Sequence, residues 1–467
     1  MRQQQHGSMR YAWLTAAAAS MGGFLFGYAS GCINGTVLAL EQAFHASGLG
    51  SGFAVASMLL GCAAGALLAG PLSDVYGRRA VLRAAALFFA GGAYGSGVAL
   101  STSTFIVFRL LSGLGVGAVS ILVPAYISEI APPAVRGRMA CLQQLAIGLG
   151  LFAAFLVNEQ LARAAGGAEC PLWWNAPAWR WMYWAQLVPV AVYAAGMAVI
   201  PESPRCLTSA GHLQEARRVL TRLAPAADAE ATLRDIRQSL IAGHRPSPRD
   251  VLDSGTGLPH PVVRSGLLIA MFQQFVGINI IFYYGEVLWR AAGFSAGDAL
   301  DVNLLSGVLN VAATVAAILL IDNWGRRPLL LAGSLGMSLM LAALAVIFAL
   351  APAGADGALR LTPLSAVLAL LAAHAYIVAF GMSWGPVVWV LLGEMFPNRM
   401  RGAALALAGL AQWLANFLVS MSFPWLRETL GLGGAYALYA GAALLSAVVV
   451  LRTVRETKGV TLEHMRD

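Results

Sequence analysis

The sequence predicts an all-α integral membrane protein of twelve transmembrane helices, built as two six-helix halves joined by a cytoplasmic helical linker. The first observation is composition: 58% of the 467 residues are hydrophobic and 11% are charged, whereas soluble globular proteins carry about 25% charged residues. The second is a set of charge-free stretches, and the third is a group of charged motifs that occurs twice. So few charges cannot cover a water-facing surface, which excludes a soluble enzyme, a nucleic-acid-binding protein and a disordered scaffold.

The charge-free stretches define twelve predicted spans. A charge at the centre of a membrane helix costs about 2.5–3.5 kcal/mol, and about 20 apolar residues cross a hydrocarbon core of ~30 Å. Each stretch can therefore hold one membrane helix. In chain order they are 11–40, 42–73, 84–108, 110–128, 139–158, 181–201, 265–285, 302–321, 328–355, 361–393, 402–426 and 429–451.

The placement of arginines predicts which side of the membrane each loop faces, because short loops rich in Lys and Arg stay in the cytoplasm. Arg78, Arg79 and Arg83 follow the second span, and Arg136 and Arg138 follow the fourth. We therefore expect a multi-pass protein of the cell (inner) membrane with both termini in the cytoplasm.

One long polar stretch separates the sixth span from the seventh. Its charged residues alternate with Leu, Ile and Ala at helical spacing, which predicts short amphipathic helices on the cytoplasmic face. The plainest interpretation is a linker that merely covers the inner surface. The predicted organisation is an N-terminal half at 1–201, the linker at 202–263 and a C-terminal half at 264–467.

Three charged motifs of the first half return in the second. The corresponding segments are 74–79 and 322–327 (D-x-x-G-R-R), 129–137 and 394–402 (E-x-x-P-x-x-x-R-G) and, more weakly, 201–205 and 455–459. This repeat is expected for a transporter of two parallel six-helix halves, with a substrate site between them at mid-membrane.

The charges of these motifs are predicted to form latches at the cytoplasmic face. Arginines can fork onto carboxylates of neighbouring helices, and such pairs would tie the halves together while the outside is open. The alternative is that an arginine only fixes topology. The predicted gating network is Asp74, Arg78, Arg79, Glu129, Arg136, Glu202, Arg205, Asp322, Arg326, Arg327, Glu394, Arg401 and Glu456.

Inside the spans, amides and indoles take the place of charges. A carrier of organic ions would be expected to show a counter-charge there, but only Arg109 and Glu286 lie in or beside a span. Amides donate and accept hydrogen bonds, which suits hydroxyl groups, and an indole can cover the C–H face of a pyranose. The predicted substrate is small, neutral and polyhydroxylated; alternatively the amides only pair between helices, at ~0.6 kcal/mol each. The side chains concerned are Gln143, Gln144, Gln273, Gln274, Asn279, Tyr283, Tyr284, Asn310, Trp384, Trp389, Gln412, Trp413 and Asn416.

Spacing along the spans sharpens this prediction. Gln412 and Asn416 are four residues apart, so they share one helix face. Gln274 and Asn279 lie about 140° apart on a straight helix, and both can face one cavity only if the seventh span is distorted. Gly277 lies between them and is the predicted point of the break.

No metal site, cofactor or disulfide is predicted, because the five cysteines are scattered along the chain. No nucleophile–base pair lies in the spans, so we do not expect an enzyme. Neither a nucleic acid nor an obligate protein partner is expected.

Five motifs together resemble the sugar-porter family of the major facilitator superfamily. They are Gly-Arg-Arg at 77–79, Pro-Glu-Ser-Pro-Arg at 201–205, Gln-Gln-Phe-Val-Gly-Ile-Asn at 273–279, Ser-Trp-Gly-Pro at 383–386 and Gln-Trp-Leu-Ala-Asn at 412–416. The resemblance, which extends to bacterial xylose–proton symporters and glucose facilitators, implies the major facilitator fold and a sugar of the glucose or xylose class. It implies sugar contacts at Phe26, Gln144, Gln273, Gln274, Asn279, Tyr283, Asn310, Gly385, Trp389, Gln412 and Trp413. Asn416 completes the predicted substrate-binding set because it shares a face with Gln412.

Departures from the resemblance predict the mechanism. Proton-coupled relatives have Asp where this chain has Ala29, bacterial xylose symporters have Glu at the position of Gln186, and an expected second glutamine of the fifth span is Leu151. Without those carboxylates we expect alternating-access uniport of a hexose or pentose. The alternatives are a proton–sugar symporter, using Glu286 or His374, and a sugar sensor that does not transport. The plain interpretations are a water-exposed Glu286 and a packed or hydrogen-bonded, neutral His374.

Overall fold

A computed structural model describes residues 2–45, 49–131, 136–223, 226–242, 251–252, 257–352, 359–397 and 400–456. Within these ranges the side chains at 2–8, 49, 136–138, 140, 226–228, 239–242, 322 and 401 lie outside the description. The helices are α1 (Arg2–Cys32), α2 (Val37–Phe44), α3 (Leu49–Tyr76), α4 (Arg78–Val98), α5 (Thr102–Ile130), α6 (Arg136–Ala165), α7 (Ala178–Trp184), α8 (Leu187–Val199), α9 (Pro204–Ser209), α10 (Leu213–Leu223), α11 (Ala226–Ala242), α12 (Pro261–Phe275), α13 (Ile278–Ala291), α14 (Ala296–Trp324), α15 (Arg326–Leu350), α16 (Pro363–Met382), α17 (Trp384–Met395) and α18 (Arg401–Thr453).

The described helices supply twelve passes through a membrane. Ten helical segments are long and apolar enough to cross, and the bent pair of α1 and α2 supplies an eleventh. One of the ten, Gly402–Thr453, has 52 residues, about 78 Å at 1.5 Å per residue, which is more than twice the ~30 Å of a hydrocarbon core. Its backbone leaves helical geometry at Gly431 (φ 69°, ψ 174°), so it makes two passes. The twelve predicted spans are confirmed.

Matching turns carry the charged repeat in both halves. Gly77 and Gly325 both have φ +92°, and each precedes the first residue of a helix, α4 or α15. The Glu202 carboxylate accepts the backbone N–H groups of Arg78 (3.0 Å) and Arg79 (3.1 Å). Glu456 caps the other helix in the same way, with 3.0 Å to both N–H groups. A carboxylate satisfies the free N–H groups of a helix start and complements its dipole, which explains why each acidic residue follows the last span of its half.

The polar stretch folds into the predicted short amphipathic helices, α9 to α11. Ala216 and Leu220 of α10 are buried against Ala229 and Leu233 of α11, forming a small apolar cluster of their own. The parts of the predicted linker at 243–250 and 253–256 lie outside the described residues. The domain boundaries themselves stay a prediction.

The two ends of the bundle differ in what they hold. We call the end at the turns of Gly77 and Gly325 the basic end. The opposite end, which holds Asn34 of the first half and Asp301 at the start of α14, is called the far end.

Candidate substrate site at mid-membrane

The seventh span is broken where the sequence predicts. Helix α12 ends at Phe275 and α13 begins at Ile278, with Gly277 in the left-handed region (φ +84°) between them. A Cβ at this glycine would lie 2.8 Å from the Tyr439 ring. Across the break, the Asn279 amide donates to Gln274 Oε1 at 2.5 Å, so both amides face one region as predicted.

The tenth span contains a second break, between α16 and α17 at Ser383 (φ −130°, ψ −86°). Gln273 Nε2 donates to the first two carbonyls of α17, at 2.8 Å to Trp384 O and 3.2 Å to Gly385 O. The Trp384 indole is fully buried and donates to Leu330 O and Ser334 Oγ. Trp384 therefore stabilises the break, while Gly385 lies beside the predicted amides.

The eleventh span brings three predicted residues to the same region. Asn416 Nδ2 donates to the Tyr283 hydroxyl at 3.4 Å, joining α18 to α13. The Trp413 ring lies edge-on to Phe26 of the first half, with centroids 5.4 Å apart. Gln412, one turn before Asn416 on the same face, is 7% exposed. Residues of both halves therefore meet here.

Several buried polar atoms of this region have no hydrogen-bond partner within the described part of the chain. They are Gln273 Oε1, Gln412 Oε1 and Trp413 Nε1, while Gln143 Oε1, also without a partner, packs against Gly23 of its own half. Buried polar groups are almost always paired in native structures, so unpaired ones need a specific explanation. The two acceptors and one donor on α12 and α18 can bind hydroxyl groups.

The remaining predicted sugar contacts have fewer described partners in this region. Asn310 of α14 lies between Gly148 of α6 and Gly381 of α16, because a Cβ on either glycine would be within 3.7 Å of its amide. Trp389 follows Gly385 by one helical turn and is half-buried, as is Gln144 of α6. Neither makes a described contact with the other amides, so their roles stay predictions.

Arg109 is buried in the first half without a carboxylate partner among the described side chains. It is 2% exposed and donates from Nη1 to Ala29 O at 3.1 Å. Its guanidinium carbon lies 5.9 Å from the Tyr183 ring centroid. Gln186 is also buried, and its Nε2 has no partner in the described structure. The cation is therefore compensated by a carbonyl and a ring face.

The two alternative proton sites have different surroundings. The plain interpretation of a water-exposed Glu286 is wrong: the residue is 6% exposed, because the first half covers this end of α13. Its carboxylate lies 3.5 Å from Arg290 Nη1. The interpretation of His374 as a hydrogen-bonded ring is confirmed, with Nδ1 2.8 Å from Leu370 O and Nε2 3.3 Å from Ser306 Oγ.

Asn34 of the first half closes the far end, and sequence reasoning missed this role. Its Oδ1 accepts from Glu286 N–H (3.1 Å) and Asn303 Nδ2 (2.8 Å), and its Nδ2 donates to Phe282 O (3.0 Å). A Cβ at Gly285 would collide with the Asn34 and Asn303 amides. The only signal was an amide in a charge-free stretch, of the same kind as those assigned to the substrate.

Further contacts join the halves at the far end. Arg163 of α6 lies 3.0 Å from Glu159 of its own helix and 2.5 Å from Asp301 of α14. A Cβ at Gly52 of α3 would collide with the Met421 carbonyl of α18. The structure is therefore closed at the far end.

At the basic end, the described ion pairs join charges of the same half. Arg78 lies 3.4 Å from Asp74 and 3.6 Å from Glu129. Arg326 binds Glu394 through two contacts, Nη2 to Oε1 at 2.8 Å and Nε to Oε2 at 3.1 Å.

The other members of the predicted network add little to this picture. Arg79 and Arg327 donate to the carbonyls of Ala198 and Leu451, while Arg205 is exposed. The side chains of Arg136, Asp322 and Arg401 lie outside the described residues. That the network latches the halves together in another conformation stays a prediction.

Comparison with known proteins gives the family. Residues 15–467 match the family described as sugar (and other) transporter. The glucose transport protein of Synechocystis sp. is 43% identical over 463 residues, covering 99% of this chain and 98% of that protein. The glucose facilitated diffusion protein of Zymomonas mobilis is 35% identical over 474 residues, covering 97% and 96%.

A solved structure has the same fold. The proton:xylose symporter XylE of Escherichia coli, bound to 6-bromo-6-deoxy-D-glucose, superposes with a TM-score of 0.82 at 36% identity, over 98% of each chain. Fold and motifs agree with this match. The chain belongs to the sugar-porter family of the major facilitator superfamily, a family of multi-pass membrane transporters.

Proposed function

We propose that this transporter carries a small neutral monosaccharide of the glucose or xylose class by uniport, without chemical change to the sugar. The basic end would face the cytoplasm, with both termini on that side of the cell membrane, because arginine-rich loops stay inside. The observation that carries the proposal is the set of buried polar atoms at Gln273, Gln412 and Trp413 that have no hydrogen-bond partner within the described part of the chain.

The expected affinity suits a carrier. Four or five hydrogen bonds to sugar hydroxyls at about 1 kcal/mol each give about 4–5 kcal/mol, which corresponds to a millimolar to sub-millimolar Kd. The half-buried Trp389 and Phe26 would cover the sugar faces. A carrier must release its cargo, so stronger binding would slow the cycle.

Residues of the first half support uniport over proton symport. The positions of Ala29 and Gln186 lack carboxylates, and Arg109 is compensated by a carbonyl, so no described proton carrier lies beside it. A second candidate, proton symport, has one observation in its favour. Glu286 is a buried carboxyl on the broken seventh span, and a carboxyl in such a place can bind and release a proton as the far end opens and closes.

Uptake by proteoliposomes distinguishes the two. Radiolabelled glucose and xylose are offered with and without an imposed inward proton gradient. We expect label to equilibrate, with no accumulation above the outside level under the gradient. Accumulation driven by the gradient would overturn uniport, and binding without uptake would identify a sensor.

A substitution tests the site itself. Gln412→Ala removes one unpaired acceptor and is expected to raise the KM for sugar about tenfold, the effect of 1.4 kcal/mol. Ser422→Ala, on the same helix, removes a hydroxyl that bonds only to Val419 O and serves as the control. An unchanged KM for Gln412→Ala would remove this residue from the site.

A further inference from the structure

The connection between the fifth and sixth spans forms a small hairpin at the far end. We call residues 170–177 the tryptophan hairpin. Leu172 N–H donates to Ala176 O at 2.9 Å, and Ala178 N–H donates to Cys170 O at 2.9 Å, which closes the loop. Trp173 is 55% exposed and Trp174 is 89% exposed. These are the large apolar side chains that the hairpin presents.

The backbone holds Trp174 in an unfavourable conformation. Trp174 (φ 54°) and Asn175 (φ 57°) both lie in the left-handed region, where a bulky side chain is a genuine outlier. Such conformations persist only when surrounding contacts impose them, and they occur often at functional places. The outward presentation of this ring is therefore built into the loop.

The hairpin has a rigid base. Trp179 is 2% exposed and packs against Phe44, with centroids 6.0 Å apart. The Arg180 guanidinium lies over the Trp179 ring at 4.5 Å and donates from Nη1 to Gly97 O at 2.6 Å. The exposed rings are thus fixed relative to α4 and α7.

A continuous set of rings connects the hairpin with the outer surface of the bundle. The Trp181 ring lies 5.1 Å from Trp173, 5.2 Å from Trp174 and 5.0 Å from Trp184. Trp184 Nε1 donates to the carbonyl of Tyr94, which is 58% exposed on α4. The exposed rings therefore continue the surface that the third and sixth spans present to lipid.

Counted from the start of the sixth membrane-spanning segment at Ala178, these rings lie where the lipid headgroup layer is expected. Trp181 and Trp184 follow Ala178, the first residue of the sixth span, by three and six positions, or about 4.5 and 9 Å along the axis. Apolar faces of interfacial helices lie about 5–10 Å into the headgroup boundary, and Trp is enriched there because it joins an apolar body to an N–H donor. Residues 170–179 contain no charge that would oppose insertion.

We propose that the tryptophan hairpin inserts Trp173 and Trp174 into the headgroup layer of the leaflet at the far end. The partner is a phospholipid surface, contacted at the boundary between headgroups and acyl chains.

Fluorescence quenching tests the insertion in the full chain. The emission of Trp174 is obtained as the difference between wild type and Trp174→Phe in phosphatidylcholine proteoliposomes. We expect it to be blue-shifted, quenched by lipids with a nitroxide on the headgroup, quenched much less by a nitroxide near the end of the acyl chain, and protected from aqueous iodide. Trp179→Phe is the matched control, because its buried ring should resist all three quenchers.

The other outcomes overturn the proposal. Quenching by iodide without quenching by headgroup nitroxides would place the hairpin in water. Quenching by acyl-chain nitroxides above headgroup nitroxides would place it too deep. Protection from iodide only on addition of glucose or xylose would indicate that the rings form a carbohydrate platform.

Discussion

The two halves share a scaffold but differ in continuity. In the first half, α1 and α5 run without interruption to Cys32 and Ile130, and the first span bends, by 57°, only at the far end between α1 and α2. In the second half, the corresponding spans break at Gly277 and Ser383. The turns capped by Glu202 and Glu456 are nearly identical. The second half carries most amides of the predicted site, and its break at Gly277 lets Gln274 and Asn279 face one region, as discontinuous helices do in other transporters.

The largest effect is expected from a substitution that opposes the helix break at Gly277. Gly277→Ala forces a left-handed backbone that costs about 1–2 kcal/mol and places a methyl group 2.8 Å from Tyr439. We expect sugar uptake to fall at least about tenfold, since 1.4 kcal/mol is a factor of ten. Gly441→Ala has open space around it and should transport normally. Normal uptake by the Gly277 variant would show that the break is dispensable.

The next largest effect is expected at Asn34, where the first half contacts the broken seventh span. Asn34→Ala removes hydrogen bonds to Glu286 N–H, Phe282 O and Asn303, each about 1 kcal/mol. Amide hydrogen exchange at residues 281–286 should accelerate more than tenfold as the far end opens. Ser128→Ala, which loses only a bond within its own helix, is the control. Unchanged exchange would mean that other contacts hold the far end closed.

A smaller effect compares equivalent ion pairs of the two halves. The Arg326–Glu394 pair has two short contacts, whereas Arg78 and Glu129 are 3.6 Å apart. Bidentate pairs are the stronger ones. Glu394→Gln should therefore lower the free energy of unfolding in detergent by about 1–2 kcal/mol, whereas Glu129→Gln should lower it by at most ~1 kcal/mol. Thermal unfolding of the two variants gives the comparison. The reverse order would mean that the two short contacts of Arg326 and Glu394 do not make this pair the more stabilising one.

The smallest expected effect concerns Glu286, the buried carboxyl of the broken seventh span. Under uniport, Glu286→Gln keeps the shape of the side chain and should change glucose uptake by less than about twofold, an effect under 0.5 kcal/mol. The measurement is uptake across a range of pH. Loss of gradient-driven accumulation in this variant, where wild type shows it, would establish the symport alternative.

Local patterns predicted the spans, the repeated turns and the Gly277 break, because each depends on neighbours in sequence. Gln274 and Asn279 would lie about 140° apart on a straight helix, so both could face one cavity only if the helix was distorted between them. The burial of Glu286 and the role of Asn34 could not be predicted, since both depend on how one half packs on the other. The break at Ser383 left a weak signal in Pro386, because a proline is tolerated in the first turn of a helix but not in its interior, and Pro386 lies in the first turn of α17.

The contacts of Asn34 connect closure of the far end with the predicted substrate site. Asn34 bonds the backbone of α13, and the same short helix carries Asn279 and Tyr283. If closure of the far end raises the affinity of these side chains for sugar, bound sugar must favour closure by the same free energy. The loaded carrier should reorient more readily than the empty one, so unlabelled sugar on the far side of the membrane should accelerate release of labelled sugar.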